Sequence, residues 1–298
     1  MNALANNTLA TASGNPVALL AVMESVQEVG IDRWIARVSD PSVPPLRVLA
    51  ADGFMMLSAE LPSENLPSWW DLLKANASLG GHVKFASTAD GAVSVRAEIP
   101  EDGEADLSLR LESTCRAFTT AFSMAQGPYE PTSDATAEGA SPDLPKLCEQ
   151  AGWPCSSKRV DRCAVPLDTR RGAHTALITT QDGRIRVCTE LASWETLSGP
   201  CREGLSAFLL AANNLLRLAR AVITEDETGG AAQLEVIYQT APTAAELRCA
   251  LEALSVGADL CAPVADLLQQ EEAAKHFLSV RGGPCDRERS QQTNKRKI

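Results

Sequence analysis

The chain reads as an α+β protein made of two tandem copies of one small module, and three observations lead there. Its 298 residues exceed the common size of a single domain, about 100 to 200 residues. Stretches with the period of two that marks strands alternate with stretches of helical period. Finally, the order of these stretches recurs after a segment rich in Pro, Gly, Ser and acid, GPYEPTSDATAEGASPDLPKL, from 127 to 147. Such a composition makes a linker. Each copy is expected to run helix, three strands, helix, two strands, helix. The first module then spans 15–126, the linker 127–141 and the second module 142–280, with disordered termini at 1–14 and 281–298. Each half is expected to fold by itself when cut near Ala140, because a polar linker separates two full sets of elements.

In the first copy, Asn15-Pro16 pairs a capping residue with a proline suited to the first helical position. Val17, Leu20, Ala21 and Glu24 carry that helix on until Gly30. Short β runs follow at 34–38, 46–50 and 54–61, separated by Asp40-Pro41, Pro44-Pro45 and Asp52-Gly53. Asp-Gly between β runs is the strongest short hairpin signal. The segment LPSWWDLLKANASL returns to helical spacing before Gly80-Gly81. Val83 and Phe85, then Val93, Val95, Ala97 and Ile99 after Asp90-Gly91, alternate as a hairpin with one buried face. A last helix, 106–125, carries Leu107, Leu111, Phe118 and Phe122.

The second copy offers a short helix at 144–150, strands near 159–165, 175–180 and 184–191, and a helix at 202–218. Strands near 221–225 and 232–240 and one long helix at 243–277 complete it. Residue-level echoes support duplication: Asp52-Gly53 and Glu60-Leu61 match Asp182-Gly183 and Glu190-Leu191 at an offset of 130. Leu72-Leu73 with Ala75-Asn76 match Leu209-Leu210 with Ala212-Asn213 at 137. A slowly growing offset with constant element order is the mark of a duplicated unit with loop insertions.

The net charge of -11 is unevenly spread: 1–140 hold 8 basic and 18 acidic groups, whereas 281–298 hold 6 and 2. An acidic body repels phosphate backbones, so nucleic-acid binding through the folded part is disfavoured and basic partners are favoured. The start of the chain has no basic region ahead of its seven-residue apolar run, Val17 to Met23, which does not make an export signal. No stretch has the 18 or so apolar residues of a membrane span. A cytoplasmic protein is expected. The nine cysteines form no CxxC pair, so neither metal nor any other cofactor is expected, and reduced thiols serving as small core residues are the preferred account.

The stretch LLKANASLGGHVKFASTADGAVSVRAEIP, and again LLAANNLLRLARAVITEDETGGAAQLEVIYQTAPTAAELRCALEAL, resembles the YbjN-like family with its type III secretion chaperone-like fold. Leu72, Leu73, Ala75 and Asn76, and Leu209, Leu210, Ala212 and Asn213, carry the resemblance. It implies a bent antiparallel sheet packed on helices, no active site, and the binding of a protein or peptide client. Secretion chaperones of this group act as homodimers, so the duplication implies an internal pseudo-dimer in a monomeric chain.

No GxSxG, HExxH or phosphate-loop motif occurs, and His82, His174 and His276 read as lone histidines, so no catalytic residue is assigned. Trp69, Trp70 and Leu73 on one middle helix and Phe208, Leu209 and Leu216 on the other are the candidate partner or inter-module interface. Adjacent tryptophans lie about 100° apart on a helix, so both are covered only if the helix is sandwiched. Lys158, Arg159, Arg162, Arg170 and Arg171 are a candidate contact for an anion or acidic peptide. The competing function is a cysteine-based redox or metal protein using the second module, where eight of the nine cysteines lie.

Overall fold

A computed structural model describes residues 16–281, other than 65, 89–90, 102–106, 128–141, 160, 182 and 227–228. The expected disordered termini and most of the linker therefore lie outside the described residues. Within them, the first half runs α1 (Pro16–Val22), β1 (Ser25–Gly30), β2 (Arg33–Arg37), β3 (Leu46–Ala51), β4 (Phe54–Glu60), α2 (Trp69–Ser78), β5 (Lys84–Ser87), β6 (Val93–Pro100) and α3 (Leu107–Gln126). The second runs α4 (Leu144–Ala151), β7 (Ser157–Arg159), β8 (Arg162–Pro166), β9 (Thr175–Gln181), β10 (Arg184–Ser193), α5 (Gly199–Ala212), β11 (Arg220–Asp226), β12 (Gly229–Tyr238), α6 (Ala244–Leu268) and α7 (Glu271–Arg281).

The protein is mixed α+β with two similar antiparallel sheet modules. Sheet orders are β1-β2-β3-β4-β6-β5 and β7-β8-β9-β10-β12-β11, the same path twice. Each copy has four strands before its middle helix, one more than the three that the hairpin signals suggest. The chain expected to be helical up to Gly30 instead turns after Val22: Met23 is buried, Glu24 N–H bonds Arg37 carbonyl, and β1 pairs with β2 from Ser25 opposite Arg37. In the second copy the expected strand at 159–165 is a tight hairpin, β7–β8. The long terminal helix is also two helices. Gln269 caps α6, and α7 restarts with Glu271 and Glu272 in its first turn, where acidic groups suit the positive end of a helix.

Alternation decides which face of each sheet is dry. In β6, Val95, Ala97 and Ile99 are buried on the face that meets α3, together with Leu111, Phe118 and Phe122. In the second sheet, α6 covers β10 and β12 with Leu247, Leu251 and Leu254. α6 opens with a full capping box, Thr243 and Glu246 bonding each other's backbone N–H groups, which satisfies donors a helix start leaves open.

Candidate functional site

The two halves meet through their middle helices and edge strands. α2 packs on β11 of the other half, α5 packs on β5, and α2 and α5 touch. In its last turn α2 carries Asn76 and at its cap α5 carries Asn213, two asparagines with no exposure. Asn76 Oδ1 accepts the N–H of Phe85 at 2.7 Å, and its Nδ2 donates to the carbonyl of Ala221 at 3.2 Å. Asn213 Oδ1 accepts the N–H of Ala221 at 2.7 Å, and its Nδ2 donates to the carbonyl of Phe85 at 2.9 Å. Each asparagine thus satisfies its own edge strand with its oxygen and the other half's edge strand with its amide. Without them these buried backbone groups would lack partners.

Beside the asparagines sits a reciprocal pair of buried cations. Lys84, at the start of β5, donates to the carbonyls of Leu216 and Ala219 in the other half and pairs with Glu98 at 2.7 Å. Arg220, at the start of β11, donates to the carbonyls of Leu79 at 2.9 Å and Val83 at 2.9 Å, and pairs with Glu235 at 3.0 Å. Burial pushes Lys84 and Arg220 below their ordinary pKa, and the facing carboxylates offset part of that penalty. The loops that supply the carbonyls need a left-handed residue at matching positions, and Gly81 (φ 58°) and Leu218 (φ 57°) provide it. This is how a two-fold interface is built, each side presenting the same patch.

Of the residues singled out from the sequence, Leu73, Leu209 and Leu216 are buried, and Trp69, Trp70 and Phe208 are half-buried against the core. Trp70 stacks on Trp194 of the second half with ring centroids 4.4 Å apart. The Arg281 guanidinium lies 5.9 Å from the Trp69 ring. Trp194 escaped the sequence reading because it stands alone after β10, outside any periodic run. His82 packs edge-on against Tyr238 across the junction at 5.9 Å. Its imidazole is pushed down to about 4, first by burial and then by the charges of Arg220, Lys84 and Arg110.

The basic residues are placed differently. The side chains of Lys158 and Arg159 lie outside the described residues, and Arg162 is exposed on β8. Arg170 and Arg171 are exposed on the loop between β8 and β9, where both backbone N–H groups bond the Asp259 carboxylate, at 2.8 and 3.1 Å. A different basic surface emerges on the first sheet. Its outer face, away from α3, is open over β2–β4 and carries Arg33, Arg37 and Arg47, the last paired with exposed Glu60 at 3.2 Å, beside exposed Ile35 and half-buried Leu49 and Met56. Register puts Arg33 opposite Leu49, and Leu49 opposite Met56.

A third feature lies at the far end of the second module. The sulfur atoms of Cys148, Cys155 and Cys163 all lie within 4.8 Å of one another, and those of Cys155 and Cys163 are 2.8 Å apart. Spacings of six and seven intervening residues hid this cluster. α4 ends at Gly152, whose left-handed turn (φ 82°) folds the chain back, and the β7–β8 hairpin then delivers Cys163 beside Cys155. Burial is the first cause that raises the Cys148 and Cys163 thiols, the latter to about 12, with Cys155 adding to both shifts.

No known family model and no curated protein matches this chain.

Proposed function

We propose that the chain is a non-enzymatic protein-binding scaffold of the YbjN-like, type III secretion chaperone-like kind, acting as a monomer with an internal pseudo-dimer. The observation that carries this reading is the open outer face of the first sheet. In a chain of net charge -11, Arg33 and Arg37 gather with the Glu60-paired Arg47 on one surface around Ile35, Leu49 and Met56. Such a face suits a client segment that mixes acidic and apolar side chains, with charge giving selectivity and apolar contact giving affinity. The buried ionisable groups at the junction support the same reading: Lys84 pairs with Glu98 and Arg220 with Glu235, and the two cations also donate to backbone carbonyls of the other half. They hold the halves together and leave the outer face as the surface for a client.

The test is a peptide array probed with the full chain and with an Arg33→Glu/Arg37→Glu variant of unchanged thermal stability. Retention of acidic, apolar peptides by the parent and at least tenfold weaker retention by the variant is the expected result, since two attractive charges become repulsive. Equal retention by both proteins would sink the proposal. A light-scattering mass of one chain checks the monomer.

A further inference from the structure

We propose that Cys148, Cys155 and Cys163 form a three-thiolate site for a thiophilic divalent cation, zinc by preference, that fastens α4 to the β7–β8 hairpin. The geometry comes first. Thiolates bind zinc at about 2.3 Å, which places two of them about 3.8 Å apart in a tetrahedron. The three sulfur atoms already lie within 4.8 Å of one another. The Cys155–Cys163 separation of 2.8 Å has to open by about 1 Å to reach that spacing, which side-chain rotation can supply. Among the described residues no carboxylate or imidazole joins the cluster at that range, so the fourth position goes to water.

Comparison of the two copies shows that the fold does not ask for sulfur here. Strand register aligns Cys163 with Trp34: Cys163 faces Ile178 as Trp34 faces Val48, and β9 follows β3 at the offset of 130. The carbonyl of Cys148 accepts the helix-ending N–H of Gly152 as that of Leu19 accepts the N–H of Met23. The first module fills these two places with buried leucine and tryptophan, an ordinary apolar contact between helix and sheet. The second module puts a thiol in each and brings a third, half-buried Cys155, from the connecting loop. Two smaller side chains stand where the first module has larger ones, and three soft ligands from helix, loop and strand converge there. Thiolate-only sets select zinc over magnesium or calcium, which take oxygen. On binding, three S–H bonds break, three sulfur–metal bonds form, and the protons leave to solvent.

The experiment uses the full chain, reduced, stripped with a chelator and titrated anaerobically with Co²⁺, followed by Zn²⁺. One equivalent of cobalt should give thiolate charge-transfer absorption that zinc abolishes, and zinc should raise the melting temperature. Cys155→Ser, the half-buried and least disruptive change, should weaken binding at least about tenfold and remove the zinc-dependent rise in melting temperature. Cys115→Ser, in the other module, should change neither. The proposal is overturned if the reduced parent gives no thiolate band, or if Cys155→Ser binds as tightly as the parent. It is likewise overturned if a Cys155–Cys163 disulfide is found and its reduction yields a protein that binds no metal.

Discussion

Lys84→Met is the sharpest probe of the junction. Lys84 has no exposure and its partner Glu98 is 2% exposed, so the change leaves a carboxylate buried without a counter-charge. Breaking a buried pair in this way costs about 3 to 5 kcal/mol. The carbonyls of Leu216 and Ala219 also lose their donor, and each such loss adds about 1 kcal/mol or more. The sum, about 5 to 7 kcal/mol, is a large part of the 5 to 15 kcal/mol that holds a typical fold. Urea unfolding followed by tryptophan emission, which reports on the stacked Trp70–Trp194 pair, measures it. Adding Glu98→Gln to Lys84→Met removes the stranded charge and should recover roughly half of the loss, while the two carbonyls stay unsatisfied. A Lys84→Met variant within about 1 kcal/mol of the parent would mean that Lys84 and Glu98 are not paired in the dry junction, since breaking a buried pair costs about 3 to 5 kcal/mol.

Three further outcomes are expected. A double-mutant cycle on Trp70→Ala and Trp194→Ala should return a coupling of about 0.5 to 1.5 kcal/mol, as for stacked rings; additivity of the two losses would mean the rings do not meet in solution. His82 is held at about 4 in the fold against an ordinary 6.5, so the unfolded chain takes up its proton first. Stability should be full above pH 6.5 and fall as the pH drops toward 4, by at most about 3 kcal/mol. His82→Gln should flatten the pH 6.5 to 5 part of that curve, and an unchanged curve would count against the assignment. Residues 16–127 and 142–281 made as separate chains should each unfold less cooperatively than the whole and regain its transition on mixing, since each exposes half of the cation–carbonyl clamp; calorimetry that finds either alone as stable as the full chain would contradict this.

The duplicated order of elements was legible because Asp-Gly turns, paired leucines and alternating valines are local signals. β1 was not legible. Its residues Ser25, Gln27, Glu28 and Val29 are exposed at a sheet edge, so no alternation separates it from the helix before it. Asn76 and Asn213 stood out as marks of the repeat, but a bond from Asn76 to Ala221, 145 positions away, leaves no trace in local pattern. The cysteine cluster was hidden for the same reason. Zinc motifs recognised by spacing place two ligands on one turn, whereas here a helix end, a loop and a hairpin each contribute one sulfur. The arginine face was missed because Arg33, Arg37 and Arg47 come from two strands, and a scan for charge runs finds only neighbours in sequence.

The clamp at the junction has one consequence for how such a protein can change over time. Lys84 and Arg220 reach for carbonyl oxygens of Leu216, Ala219, Leu79 and Val83, and a carbonyl is the same whatever side chain follows it. The clamp itself therefore asks of each loop only one left-handed residue, a duty that glycine carries at 81 and leucine at 218, while the buried side chains of Leu79, Val83, Leu216 and Ala219 answer to packing instead. A join written in main chain makes few demands on side-chain identity, in keeping with two halves alike in topology and faint in shared residues.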